Sequence, residues 1–240
     1  MSVRFYSFGG KLYPSVTSVL DVIAKPQLIR WAARVVAERA VEHAQVIATK
    51  AKSDPDVVIR RLADAPFERT RQAASTGTKM HAMAEAIAKG GRFSVDKDSM
   101  PFFKQLRDFV DQVKPEFVLS ECLVVSDRYT YAGTVDAVLK INGRLVMADF
   151  KSSKHIVPQY ALQLCAYRNA DFFSRDGVER EPIPSVDGTV IIHVQPEGWK
   201  IVEQRVDDEM FQVFLAARKL FDWACESGIL TTESRTRRLA

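Results

Sequence analysis

Asn142-Gly143 stands between two strongly apolar stretches, VDAVLK and LVMADFK, and no other feature constrains the chain as tightly. Asn-Gly is the preferred pair for a two-residue hairpin turn, because both central positions need positive φ. If Ile141 faces Arg144, the turn fixes the strand register, and that register predicts Asp136 directly opposite Asp149 and Thr134 opposite Lys151. All four side chains would then share one sheet face. Directly opposed residues have Cβ atoms roughly 4.5 to 5.5 Å apart, so two carboxylates placed there repel each other. Both aspartates sit inside apolar strands rather than on a solvated face, so something must offset the repulsion. A hard divalent cation does so naturally, since Mg²⁺ or Mn²⁺ prefers carboxylate and water oxygens and leaves positions free for a phosphate. Lys151 adds a positive charge beside the pair.

A chain of 240 residues, 47% of them hydrophobic, can bury a sizeable core, enough for one domain or one domain with an appendage. No run of ~20 apolar residues occurs, and the start MSVRFYSFGGKLYPS lacks the layout of a secretion signal. A cytoplasmic protein with no membrane segment is expected. Cys122, Cys165 and Cys225 lie far apart with no CxxC spacing, a pattern that suggests neither a disulfide framework nor a thiolate metal cluster. A net charge of +4 and a pI near 8.9 fit a polyanionic partner without requiring one.

The first half reads as helical. Ser15 or Thr17 can cap a helix in YPSVTSVLDVIA, Pro26 opens another, and PQLIRWAARVVAERAVEHAQVIATKAK is one long amphipathic stretch. Asp54-Pro55 looks like a new N-cap, and Gly90-Gly91 ends the helix that contains KMHAMAEAIAK. From Phe117 to Ser152 the pattern changes to period-two alternation, broken at SDRYT and Asn142-Gly143, which predicts a three-stranded antiparallel meander. HIVPQYALQLCAYRNADFF returns to helical spacing, GTVIIHV and WKIVEQRV read as strands, and a last helix carries a stripe of Met210, Phe214, Ala217, Phe221 and Ala224. A helix joining the third and fourth strands favours a parallel crossover in an otherwise antiparallel sheet. The expected fold class is α/β of the mixed α+β kind, a central mixed sheet flanked by helices. Residues 1–114 form a helical region, 115–228 the core, and 229–240 a basic tail.

GTVD followed by ADFKSS resembles the second and third motifs of the PD-(D/E)XK nuclease superfamily, and the RecB-like branch fits best. Members of that branch are similar in three further elements, present here in the same order: Gly77-Thr78-Lys79-Met80-His81, Glu121, and Gln163 with Tyr167. YPSVTSVL is similar to the opening of mitochondrial genome-maintenance exonucleases and related phage proteins. The resemblance spans about Tyr13 to Tyr167. It implies a restriction-endonuclease-like fold with catalytic residues Asp136, Asp149, Lys151 and Glu121. Mg²⁺ or Mn²⁺ would be held by His81, Asp136, Asp149 and the Phe150 carbonyl. Nucleic acid would be contacted by Gln163, Tyr167, Thr78, Ser15 and Thr17. The chain lacks the four cysteines of the iron-sulfur members, so no such cluster is expected. It also has Asp where type members have Glu before the lysine, a tolerated exchange.

His81 lies at the edge of the apolar stripe of Met80, Ala84 and Ile87, where a histidine is commonly structural; an imidazole ligand would tilt preference toward Mn²⁺. Glu85 suits either a partner for His81 or a solvated position. Glu121 sits within the apolar VLSECLVV, where an unpaired carboxylate is costly. Gln163 and Tyr167 share a helix face, and the resemblance implies contact with the DNA backbone or support of Lys151; a packed tyrosine with a polar neighbour is the plain alternative. QLIRWAARVVAER suits stacking on single-stranded DNA or plain packing. The expected activity is phosphodiester hydrolysis of DNA, with single strands or ends favoured and replication or recombination proteins as further partners. A non-catalytic nucleic-acid-binding or assembly protein on the same fold, and a structure-specific endonuclease, are the competing readings.

Overall fold

The computed structural model describes residues 3–230 and the backbone of residues 235–237. In chain order the elements are β1 (Arg4–Phe8), β2 (Lys11–Pro14), α1 (Val16–Leu20), α2 (Gln27–Glu42), α3 (Ala44–Ser53), α4 (Pro55–Ala88), α5 (Met100–Val113), β3 (Glu116–Ser126), β4 (Tyr131–Ile141), β5 (Arg144–Lys151), α6 (Pro158–Arg168), β6 (Phe172–Ser174), β7 (Gly188–Gln195), β8 (Gly198–Gln204), α7 (Asp208–Glu226) and β9 (Arg235–Arg237). The chain divides into two compact units, residues 24–78 and residues 1–23 with 79–240.

The larger unit is built on a mixed six-stranded sheet in the order β6-β3-β4-β5-β7-β8. The β3-β4-β5 meander and the parallel β5–β7 pair with α6 in its crossover are as the sequence pattern predicts. Asn142 and Gly143 hold φ of 49° and 81°, and Ile141 pairs with Arg144, so the turn sets the hairpin as expected. One face of the sheet buries Val138, Met147 and Ile191 under Leu164 and Cys165 of α6 and Phe214 and Phe221 of α7. On the other face Ala148, Phe150 and Ile192 pack with Met80, Met83 and Ala84 of α4 and Leu106 and Phe109 of α5. Alternation along β5 feeds both layers, which puts Asp149 and Lys151 on the α6 side.

Several expectations change. Residues 4–14 form a hairpin rather than helix: RFYSF and KLYP alternate, and Gly9 and Gly10 turn the chain with φ of 55° and 79°. Residues 1–23 and 79–114 fall in the same compact unit as the sheet. The long helix expected from Pro26 breaks at His43, whose φ of −116° separates α2 from α3. Pro66 lies inside α4, where tertiary context overrides its usual helix-breaking effect. α6 ends at Arg168, freeing Phe172–Ser174 to pair with β3. Within the expected 229–240 tail, residues 235–237 run parallel to β1, and residues 231–234 and 238–240 lie outside the described residues. Ser15 caps α1 as expected, accepting from the Ser18 backbone N–H at 3.0 Å, and Asp54 does the same for Val57 at 3.2 Å. No helix among the described residues is long and apolar enough to cross a membrane.

Candidate active site

The hairpin ladder stops one pair short of the aspartates. Its last registered pair is Ala137 with Ala148, so neither Asp136 opposite Asp149 nor Thr134 opposite Lys151 is a ladder pair. Beyond that point the Asp136 side chain takes the place of a backbone acceptor: its Oδ2 accepts the Phe150 N–H at 2.8 Å. A carboxylate thus satisfies a buried backbone donor that the parting strands would otherwise leave unpaired. Its other oxygen, Oδ1, lies 3.1 Å from His81 Nδ1.

His81 reaches this point from α4, where neighbouring Met80 and Ala84 anchor the helix in the core. Its Nδ1 is also 3.8 Å from Glu121 Oε1. Glu121 occupies an unusual place in β3. The residues around it pair regularly, Ser120 with Ala137 and Cys122 with Val135, while Glu121 itself holds φ of 50°. A left-handed glutamate inside a strand costs on the order of 1 to 3 kcal/mol, and such strain clusters at functional sites. The outcome is a compact donor group: His81, Glu121 and Asp136 each offer one ligand atom, all within 4.8 Å of one another.

Asp149 and Lys151 form a second cluster beside the first. Asp149 is 1% exposed. Its Oδ1 accepts from Lys151 Nζ at 2.8 Å and from Gln163 Nε2 at 3.0 Å. Oδ2 lies 2.6 Å from the same ammonium but receives no directed hydrogen bond, so its contact is one of charge alone. Gln163 donates also to the Tyr167 hydroxyl at 3.0 Å. Both residues are buried, 7% and 3% exposed, and the Gln163 amide bonds Asp149 and Tyr167, the arrangement of the supporting alternative.

The electrostatics follow from this packing. Burial disfavours a charged His81, yet hydrogen bonds with Asp136 and Glu121 outweigh it and push the imidazole up to about 10. Burial likewise works against ionised Asp136, and His81 with Lys151 more than compensates, holding that carboxyl below its usual range. For Asp149 burial wins: the carboxyl is pushed up to about 6 against the pull of Lys151, with Asp136 adding to the rise. Lys151 is desolvated too, but Asp149 and Asp136 raise it, which favours its ammonium form in this arrangement.

The remaining expectations fare differently. Ser15 is fully buried in its capping position, with its hydroxyl engaged by Ser18. Thr17 is half-buried and accepts from Arg4 Nη2 at 2.9 Å. Thr78 is exposed, its hydroxyl donating to the Ala74 carbonyl at 3.1 Å. Glu85 pairs with Lys89 at 2.6 Å rather than with His81. His193 is structural, its Nε2 lying 2.6 Å from the Ser153 carbonyl. Two contributors escaped sequence reasoning. Tyr160 places its ring 4.8 Å from Lys151 Nζ, and its spacing of three from Gln163 was a usable signal. Gly133, in the GTVD motif, lets the Tyr167 ring approach so closely that a Cβ there would lie 2.3 Å from Cε1. A glycine within a strand is the corresponding sequence sign.

No family model matches the chain, and no curated protein sequence does. Fifteen chains of solved structures match. One, the crystal structure of SSO0001, is 12% identical with a TM-score of 0.32, covering 52% of this chain and 58% of that one. The chain therefore spans less than two thirds of that structure, and a likeness at this level carries no argument about activity.

Proposed function

We propose that the chain is a metal-dependent nuclease that hydrolyses DNA phosphodiester bonds, an exonuclease acting on single strands or ends in replication, recombination or repair. The observation that carries this reading is the convergence of one ligand atom each from His81, Glu121 and Asp136 within 4.8 Å of one another, beside a buried Asp149 whose Oδ2 lacks a directed hydrogen bond. Carboxylate oxygens with one imidazole suit Mg²⁺ or Mn²⁺, the imidazole favouring Mn²⁺. His81, Glu121 and Asp136 would hold the ion with Asp149 alongside, and Glu121 thereby joins the ligands expected from sequence. Such an ion, when bound, lowers the pKa of water and offsets charge on the phosphate.

The chain's own residues supply the rest. Lys151, held between Asp149 and the Tyr160 ring, presents an ammonium that can orient a water and neutralise charge developing on the scissile phosphate. Gln163 and Tyr167 fix Asp149, and through it Lys151. The Phe150 N–H fixes the Asp136 rotamer.

The test is digestion of end-labelled single-stranded and duplex DNA with Mg²⁺, Mn²⁺ or EDTA. Nucleotides should be released with either cation and not in EDTA. Asp136→Asn should reduce release to background with both ions, since it removes a full charge and the partner of His81. No release from either substrate with either metal would end the nuclease reading.

A further inference from the structure

The unit of residues 24–78 carries ten Lys and Arg against six Asp and Glu, so the entire formal excess of +4 falls within it and the rest of the chain balances. Inside this unit a cavity of about 150 Å³ opens among α2, α3 and the start of α4. Its apolar wall includes Val46, Val57 and Leu62, and its cations include Arg39, Lys50 and Arg61. The break between α2 and α3 at His43 makes room for it, because one continuous helix would leave no re-entrant angle. Arg39 is held 3.0 Å from Glu68, whereas Lys50 and Arg61 have no ion pair among the described residues and stand exposed at the opening. Val46 is 56% exposed, an apolar side chain left uncovered between cations.

We propose that this cavity binds a nucleotide unit, a base against the apolar wall with its phosphate among Arg39, Lys50 and Arg61. Small-ligand sites combine a mainly apolar lining with a few placed polar groups, and guanidinium and ammonium groups are the usual phosphate partners. The inference rests on the nuclease reading for the choice of nucleotide over another organic anion. The nucleotide comes either free or within a strand, and the two sources share this chemistry.

The test uses the full chain in EDTA, where no cleavage is expected. Deoxyadenosine monophosphate, inorganic phosphate and a fluorescein-labelled oligo(dT) are titrated separately into wild type, Lys50→Glu/Arg61→Glu and Val46→Trp, with the fold of each variant checked by far-UV circular dichroism. All three positions are exposed or at the opening, so the variants should fold. Wild type should bind the mononucleotide at least ~10-fold more tightly than inorganic phosphate, and both variants should weaken it by a similar factor, each tenfold being about 1.4 kcal/mol. Competition between oligo(dT) and the mononucleotide would place a strand in the cavity; mononucleotide binding alone would identify a free nucleotide as its occupant. Equal affinity for phosphate and mononucleotide, or unchanged mononucleotide binding by Val46→Trp, would overturn the proposal, the second leaving only a charged surface. Binding by a protein that never cleaves DNA would sink the nuclease reading and keep the cavity. Cleavage without mononucleotide binding would do the reverse.

Discussion

Lys151 is where chemistry and stability meet at the scale of one residue. It is the only directed charge partner of Asp149 among the described residues, and Asp149 is already strained by burial. Removing one member of a buried ion pair costs up to about 3 to 5 kcal/mol, because the other charge is left uncompensated. Lys151→Ala should therefore lower the melting temperature of the metal-free protein and, under the proposed function, cut DNA hydrolysis by ~10²–10³-fold, the scale set by loss of one electrostatic contact in a transition state. A divalent cation replaces the missing positive charge, so Mn²⁺ should raise the melting temperature of Lys151→Ala more than that of wild type. Equal Mn²⁺ shifts in the two proteins, measured by differential scanning calorimetry, would remove the idea that Lys151 stands in for cation charge at Asp149.

At the scale of elements, the contact between β4 and α6 is the one that aligns the site. Gly133 lies on β4 three residues before Asp136, and Tyr167 on α6 closes over it. A Cβ at this point meets the ring at 2.3, 3.0 and 3.1 Å, so the ring must move. Tyr167 cannot shift without loosening Gln163, whose amide bonds both Tyr167 and Asp149. Gly133→Ala should cost about 1 to 3 kcal/mol by overpacking, read from the urea midpoint, and should depress kcat more than KM because it disturbs Asp149 and not an exposed surface. Wild-type stability in Gly133→Ala would show that α6 slides freely and that the close approach is incidental. The turn and caps in these elements were legible in sequence because each depends on neighbours within four residues: Asn142-Gly143 for the hairpin, Ser15 for α1, Asp54 for α4. Neither Pro66 inside α4 nor the short β6 was legible, since both depend on what the segment packs against.

Over the whole molecule, the candidate site contributes a pH-dependent term to folding. His81 is held at about 10 in the folded chain against an ordinary value of 6.5. A group raised on folding contributes stability that is complete below its unfolded pKa and is lost as pH rises through the folded one. In EDTA, the advantage of wild type over His81→Gln in urea unfolding should therefore be full below pH 6.5 and fall away as pH climbs toward 10. A constant difference across that window would mean that His81 is neutral in the folded protein and takes no charge from Asp136 and Glu121. The same charge makes a proton and a divalent cation competitors for Nδ1, because a ligating imidazole must be neutral.

The layered mixed sheet, the crossover helix and the placing of Asp136, Asp149 and Lys151 on adjacent strands of one hairpin were readable from the residues alone, because alternation, turn chemistry and strand order are local patterns that propagate along a ladder. How those residues divide their contacts came from packing between distant segments. The strands part after Ala137 and Ala148, which turns Asp136 toward the Phe150 N–H and His81. β3 takes a left-handed step at Glu121 that brings its carboxylate to the same histidine. Asp149 is left to Lys151 and Gln163. Apart from the Asp149–Lys151 pair, these outcomes hang on contacts between residues some 14 to 55 positions apart, such as Asp136 with Phe150 and His81, and all of them on burial, which sets the balance of desolvation against pairing for each charge. No local pattern encodes that balance, since it depends on how many atoms from distant segments exclude water from the same few oxygens.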